Sequence, residues 1–330
     1  MRYLVDQFDN MKENRDFTYD IIRGFLIILV VIGHSIQTAY RSTDMNCWYN
    51  PVFNVIYTFH MPLFLFISGF FLNKSLRHEF VDLLAKKTKR LLFPVLFYSS
   101  LLIFISVIIN GDYSISLKFV YKQFTYYWFL ICLFVVTLFY YLFYKANTST
   151  KGILFLAYLG GVFLYDYLPD VILKDCQVIR HILIFGFGMY MGICGVYKFE
   201  AFKLIIIIVC LLAIVLDRMS WGFNMMDYPA YIRIFDQFTC TIVAFLLFKS
   251  IIPLINSLIQ FKPLVYLGQN SLSIYLIHML FPRIMLYTGF QIAYTFNNVF
   301  ILTISWLLVS ILVTEIIRRI ARSYSFVFGV

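Results

Sequence analysis

Ten apolar segments follow one another along the chain, and most are long enough to cross a bilayer as a helix. Hydrophobic residues make up 62% of the sequence and charged residues 13%, with a mean hydropathy of +0.82, which is more apolar than a soluble core requires. The pattern predicts an all-α, polytopic membrane helix bundle of about ten transmembrane helices. A total of nine or eleven spans is also compatible with the sequence, because the segment at 203–216 is short. The segments lie at about 21–39, 52–72, 91–109, 126–144, 152–168, 179–196, 203–216, 231–252, 264–287 and 295–317.

Lysine and arginine indicate the orientation of this bundle. With ten spans, the termini and even-numbered loops carry 18 basic residues and the odd-numbered loops carry 5. The positive-inside rule places the richer side, with both termini, in the cytoplasm. We expect one membrane domain over 1–330, with a cytoplasmic segment 1–19, a transmembrane bundle 20–317 and a cytoplasmic tail 318–330. The first segment lacks a signal-peptide pattern and is expected to be retained. Nucleic acid is not an expected partner, because the basic residues are scattered over short loops.

Arg23 and His34 are ionisable residues inside the first apolar segment. Eleven positions at about 100° each make three turns plus roughly 20°, so the two side chains share one helix face. The helical rise between them is roughly 16 Å. Asp20 precedes Arg23 by three residues and joins the same face. Ionisable groups within a span are expensive to keep in lipid, so these three residues are candidates for function.

Three histidines on different predicted helices lie at about the same depth in the membrane. His34, His60 and His278 lie about 20, 18 and 21 Å from the cytoplasmic ends of their segments. Independent core histidines, each bonded to a neighbouring carbonyl or hydroxyl, are one interpretation. Three at one depth favour a shared polar cavity and a catalytic role. No metal is expected, because no carboxylate lies at that depth and no His-x-x-x-His spacing occurs.

Three further arginines lie in or near the outer ends of the predicted spans. Arg180 and Arg233 sit two or three residues from a boundary, and Arg283 sits deeper. Snorkelling to lipid headgroups is one explanation for them. The other is that they bind an acceptor substrate that carries an acidic or phosphate group, with Arg283 the strongest of the three.

Several stretches together resemble the acyltransferase-3 family of integral membrane O-acyltransferases. The opening motif is Asp20-x-x-Arg23-x10-His34. The later ones are 59–70 (FHMPLFLFISGF), 86–94 (KKTKRLLFP), 128–130 (WFL) and 267–278 (LGQNSLSIYLIH). The resemblance is greatest to the compact bacterial enzymes that acylate sugars of surface polysaccharides. It implies a multi-pass protein of the bacterial inner (plasma) membrane. One departure is that the middle spans contain no Glu, whereas some members carry an acidic residue there.

The residues fit acyl transfer chemistry. A sugar hydroxyl needs a base to take its proton, and histidine is the usual base near neutral pH. An acyl-CoA donor entering from the cytoplasm needs cations for its phosphates and no permanently bound cofactor. The predicted donor-binding residues at that face are Asp20, Arg23, Lys87, Lys89 and Arg90. The basic run at 86–90 is equally explained by topology and by attraction to lipid headgroups.

We therefore predict an O-acyltransferase that moves an acyl group, most simply acetyl, from cytoplasmic acyl-CoA to a sugar hydroxyl. The acceptor is a glycan of the cell surface or its lipid-linked precursor. A polysaccharide or lipid-linked sugar exporter is the alternative, and a purely structural membrane partner is a third. An exporter would be expected to show broken helices in paired positions and internal symmetry, and the sequence shows neither. The sequence does not determine the acyl group, the acceptor sugar or the oligomeric state.

Overall fold

The computed structural model of the protein describes residues 16–41, 43, 46–111, 115–169, 172–195, 202–222, 224, 227–256, 261–320 and 325–329. Across these ranges the chain forms helices and turns, with no β-strand. Most of the predicted cytoplasmic segment 1–19, and part of the predicted tail 318–330, lie outside the described residues.

Fourteen helices of at least eight residues are used below as landmarks. They are α1 Thr18–Tyr40, α2 Pro51–Phe70, α3 Phe80–Lys87, α4 Phe93–Asn110, α5 Leu117–Thr125, α6 Trp128–Lys145, α7 Thr148–Phe163, α8 Val178–Cys194, α9 Lys203–Trp221, α10 Ala230–Asn256, α11 Lys262–Gln269, α12 Ser271–His278, α13 Leu280–Tyr287 and α14 Phe296–Ile320. A π-helical turn, Thr88–Leu92, joins α3 to α4.

Six helices within the described ranges are long and apolar enough to cross a membrane. They are Thr18–Tyr40, Pro51–Phe70, Phe80–Asn110, Trp128–Lys145, Ala230–Ile255 and Phe296–Ile320. The bent pair α11 and α12–α13 makes a seventh if its two arms form one span. Helices also cover the segments predicted at 152–168, 179–196 and 203–216, but they do not belong to this set. The all-α membrane bundle is confirmed, whereas ten spans and the cytoplasmic termini stay predictions.

Large apolar side chains on the outside of the bundle suit a lipid environment. On α4, Phe104 and Ile108 are more than 60% exposed, and on α9 Leu204 and Leu216 are exposed to a similar degree. Exposed apolar residues scattered singly are normal on a soluble protein, but rows of them along whole helices are not. These faces therefore agree with the bilayer that the hydropathy pattern predicts.

Helix α1 lies at the centre of the bundle and packs against α2, α11, α12 and α14. Its contact with α11 is a close approach of two backbones at glycines. A Cβ atom on Gly24 would lie 2.0 Å from the carbonyl oxygen of Leu264, and one on Gly268 would lie 1.8 Å from that of Asp20. Small residues are what allow helices to pack this closely in a membrane. The glycines thereby fix α11 against the part of α1 that carries Asp20 and Arg23.

Replacing Gly268 by alanine is expected to separate α1 from α11 and to destabilise the bundle. The added methyl group meets backbone, which cannot move aside as a side chain can, and such overpacking costs typically about 1–3 kcal/mol. Gly160→Ala on α7 is the matched control, because no atom lies within 4 Å of the Cβ position there. Thermal unfolding of both variants in detergent micelles measures the difference. Equal melting temperatures would contradict the close packing.

The ninth predicted segment, 264–287, is not a straight helix. It breaks after Gln269, and the two arms, Lys262–Gln269 and Ser271–Tyr287, are inclined by 68° to each other. Residues 273–278 of the second arm are all buried. The bend turns α12 into the interior of the bundle, where it packs against α1 and α14.

Candidate active site

A cavity of about 1090 Å³ lies beside the N-terminal half of α1, and we call it the cationic cavity. Its wall is formed by α1, α2, the π-helical turn, α6 and the bend between α11 and α12. Four of the five residues predicted to bind the donor line it: Asp20, Arg23, Lys87 and Arg90. Distant parts of the sequence thus bring three basic residues to one cavity, and such cations suit an anionic ligand.

Lys89 is the fifth predicted donor-binding residue, and it does not line the cationic cavity. Its ammonium nitrogen lies 4.0 Å from the centre of the Phe326 ring, a cation–π contact outside the cavity. The π-helical turn widens the helix at this point, and such turns are common at functional sites. Lys87 and Arg90 therefore line the cavity, whereas Lys89, which lies between them in the sequence, points away from it towards Phe326.

Asp16 lines the same cavity and is paired with a lysine. The ammonium group of Lys249 donates to its carboxylate at 2.7 Å, and the backbone N–H of Thr18 donates at 2.9 Å. Burial raises the pKa of Asp16, but these hydrogen bonds outweigh it, so the pKa lies below its usual value. The carboxylate is therefore ionised at neutral pH, and Lys249 neutralises its charge locally.

A second cavity, of about 480 Å³, lies beside the C-terminal half of α1, and we call it the histidine cavity. His34 and His60 both line it, as the shared depth of the predicted histidines suggested. His278 is completely buried, and its ring centre lies 5.4 Å from that of His34. The three histidines predicted to be catalytic are thus gathered at one place, and their roles stay predictions.

Backbone carbonyls fix the tautomers of the buried histidines. The Nδ1 atoms of His60 and His278 lie 2.6 and 2.8 Å from the carbonyl oxygens of Ile56 and Ile274, one helical turn earlier. A carbonyl only accepts, so in each neutral ring Nδ1 carries the proton and Nε2 carries a lone pair. His34 makes the corresponding contact, at 3.2 Å, with the side-chain oxygen of Gln37. Each ring therefore has the tautomer of a base whose Nε2 is the accepting atom.

His181 also lines the histidine cavity, although it was not among the predicted site residues. Its Nδ1 lies 2.9 Å from the carbonyl oxygen of Gln177, and its ring stacks on Trp128 at 5.6 Å between centres. His181 stands next to Arg180 at the start of its helix, where a membrane-boundary residue is expected. Because His181 lies in the first turn of α8, its position in the sequence does not indicate that it faces the histidine cavity.

The three arginines predicted at the outer ends of the spans lie in different environments. Arg180 and Arg283 line the histidine cavity. The guanidinium carbon of Arg283 lies 4.0 Å from the centre of the Tyr126 ring. Arg233 lies outside both cavities and forms an ion pair with Asp166 at 3.1 Å. The geometry thus separates Arg233 from the other two predicted acceptor-binding residues.

The two cavities meet at two side chains. Met61 on α2 and Tyr275 on α12 line both of them, and they lie between the Arg23 end and the His34 end of α1. A ligand in the cationic cavity can therefore bring one end close to the histidines without entering the histidine cavity as a whole. This arrangement places a large cavity lined by three basic side chains next to a cavity lined by histidines.

A buried ion pair joins α9 and α10 and was not predicted. Asp236 on α10 is completely buried and accepts from the guanidinium of Arg218 at 3.0 Å. The same guanidinium donates to the side-chain oxygen of Asn54 at 3.3 Å. Arg218 therefore joins α9 to α10 and α2.

Within the described part of the chain, no group of three His, Cys, Asp or Glu side chains is placed to hold a metal ion.

Comparison with known proteins identifies the family to which this chain belongs. Residues 17–317 match the family model described as the acyltransferase domain. The chain belongs to the acyltransferase-3 family, which confirms the resemblance of the sequence motifs.

Two curated relatives are similar to part of the chain. Nodulation protein NolL of Sinorhizobium fredii is 47% identical over 91 residues, and nodulation protein NolL of Mesorhizobium japonicum is 43% identical over 91 residues. Each match covers 27% of this chain and 25% or 24% of the relative, respectively. The chain thus matches about a quarter of the length of these relatives.

Proposed function

We propose that this protein transfers an acetyl group from cytoplasmic acetyl-CoA to a sugar hydroxyl of a cell-surface polysaccharide or its lipid-linked precursor. Its membrane is the bacterial plasma membrane, and the rhizobial relatives support that origin. The observation that carries the proposal is the pair of cavities of different chemistry, cationic and histidine-lined, that meet at Met61 and Tyr275.

The cationic cavity suits the donor in charge and in size. CoA carries several phosphates, and Arg23, Lys87 and Arg90 are cations that can bind them. A volume of about 1090 Å³ is at the upper end for ligand cavities, as a nucleotide with a long arm requires. The uncharged pantetheine arm then follows α1 over the roughly 16 Å from Arg23 to His34 and brings the thioester to the junction.

The histidine cavity suits the acceptor. Nε2 of His34 takes the proton of the sugar hydroxyl as its oxygen attacks the thioester carbonyl carbon. The C–O bond forms, the C–S bond breaks, and the departing thiolate receives the proton from His34. Trp48 and Trp128 line the cavity and offer flat apolar faces to a sugar ring. Arg180 and Arg283 suit an acidic or phosphate group on the acceptor.

Surface glycan isolated from cells with and without the gene tests this function. Mass spectrometry should show acetylated sugar residues only when the gene is present, and acetyl-labelled CoA should deliver label to the glycan in isolated membranes. Equal acetylation in both strains would contradict the proposal. Loss of the glycan itself from the surface, with unaltered acetylation inside the cell, would favour the exporter.

Charge removal at Arg283 is expected to weaken acceptor binding. Losing one hydrogen bond from a charged group costs about 1.5–3 kcal/mol, so Arg283→Gln should raise the acceptor KM roughly 10- to 150-fold while the acetyl-CoA KM stays constant. Arg233→Gln is the control, because Arg233 lies outside both cavities. Initial rates at varied acceptor concentration measure the effect. Unaltered acceptor kinetics with a lowered melting temperature would make Arg283 a purely structural residue.

A further inference from the structure

Tyr275 has a position that the donor and acceptor assignments do not use. It lies on α12, the arm that the 68° bend turns into the bundle, and it is 4% exposed. With Met61 it lines both the cationic cavity and the histidine cavity. Its ring centre lies 5.7 Å from that of His278 and 5.6 Å from that of Phe129 in the first turn of α6. Tyr275 thus stands where a thioester and an acceptor hydroxyl have to meet.

The hydroxyl of Tyr275 is buried, and within the described structure its proton has no acceptor, although the backbone N–H of Phe129 is placed to donate to its oxygen. A tyrosine hydroxyl usually finds a partner when it is buried, and an orphaned one costs free energy. A group left in this state at a cavity junction is therefore explained by a ligand that supplies the missing acceptor. Several other buried polar atoms in the described chain lack a partner, but Tyr275 alone among their residues lines both cavities.

We propose that the Tyr275 hydroxyl donates a hydrogen bond to the carbonyl oxygen of the acyl thioester and stabilises the oxyanion that forms there. This assignment rests on the proposed acyl transfer. As the acceptor oxygen bonds to the carbonyl carbon, the C=O π electrons move onto the carbonyl oxygen, and they return when the C–S bond breaks. Tyr275 keeps its proton throughout. A fixed donor aimed at developing charge in a site that excludes bulk water is among the most effective catalytic devices.

The first turn of α6 strengthens this assignment. Phe129, whose ring packs against Tyr275, is the second residue of that helix. The N–H groups of a first helical turn have no intrahelical acceptor, and this end of a helix favours negative charge. An oxyanion held by Tyr275 would therefore form close to a positive helix end.

Tyr275→Phe tests the inference, with Tyr127→Phe as the matched control. Tyr127 is also a buried tyrosine whose hydroxyl has no partner among the described residues. Its ring centre is 6.5 Å from that of Tyr275, and it lines neither cavity. We expect Tyr275→Phe to lower kcat about 100- to 1000-fold with little change in the acetyl-CoA KM, because the bond strengthens only in the transition state. Tyr127→Phe should keep its kcat.

Thermal stability separates this role from a structural one. Within the described residues neither hydroxyl donates to an acceptor, so both phenylalanine variants should unfold close to the temperature of the unaltered protein. If the unaltered protein transfers acetyl groups and Tyr275→Phe does so at a similar rate, the inference is overturned and the proposed function stands. A lowered kcat that is accompanied by an equal loss in Tyr127→Phe, or by a fall in melting temperature, also overturns it. Absence of transfer by the unaltered protein would overturn the proposed function and this inference with it.

Discussion

Replacing His34 by alanine is expected to lower the rate of acyl transfer by about 100- to 10,000-fold, the usual contribution of a general base. The reason is that His34 lines the histidine cavity, lies next to His278, and shares a helix face with Arg23 of the cationic cavity. CoA binding should persist, since His34 does not line the cationic cavity. Single-turnover transfer from acetyl-CoA by protein in lipid nanodiscs measures the step directly.

His78→Ala is the control for this loss, because His78 is exposed and belongs to neither cavity. His60→Ala and His278→Ala then rank the remaining histidines. A variant that lacks His34 but transfers at a near-normal rate would remove it from the mechanism. In that case His60, which lines the same cavity and presents the same tautomer, would be the next candidate.

Loss of Arg23 is expected to weaken CoA binding by roughly 10- to 150-fold, which corresponds to about 1.5–3 kcal/mol for a hydrogen-bonded charge. Arg90→Ala should act in the same direction, because both residues line the cationic cavity. Lysine at position 23 should restore only part of the affinity, since an ammonium group cannot bind a phosphate through two parallel hydrogen bonds. Calorimetric titration of free CoA into the nanodisc-embedded protein gives the dissociation constants.

Lys89→Ala provides a matched control for Arg23 and Arg90. Lys89 belongs to the same basic run, but its ammonium group stacks on Phe326 outside the cavity. If the run served only to attract lipid headgroups, all its members would contribute alike. Equal CoA affinities in Arg23→Ala, Arg90→Ala and Lys89→Ala would therefore refute donor binding by this cavity.

Much of the site was predictable because each helix has a known rise and rotation per residue. Depth along the helix axis, counted in residues, placed His34, His60 and His278 at one level. A shared face placed Asp20 beside Arg23. Both inferences required only that each helix is regular and that the position of its cytoplasmic end is approximately known. They agree with the residues that line the two cavities.

Features that depend on packing between helices were not predictable in this way. The bend after Gln269 falls at the polar residues 269–271, but no proline marks it, and polar residues alone do not indicate a bend of 68°. Arg218 follows the predicted segment 203–216 and so falls in a predicted loop, whereas it pairs with the buried Asp236 from a neighbouring helix. His181 stands at a helix end, so its side-chain direction depended on how α8 packs on α2. In each case the deciding contact joins residues far apart in sequence.

The junction at Met61 and Tyr275 has an electrical consequence. The two cavities lie toward opposite ends of α1, a helix long enough to cross the bilayer, so together they form a nearly continuous polar path. A membrane potential of 100 mV drives each unit charge along such a path with about 2.3 kcal/mol. In the proposed reaction, the thioether of Met61 and the ring of Tyr275 would separate the two cavities electrically and also lie at the point of acyl transfer. In the proposed reaction, the acyl group has to pass from one cavity to the other while these two side chains block the movement of protons along the same path.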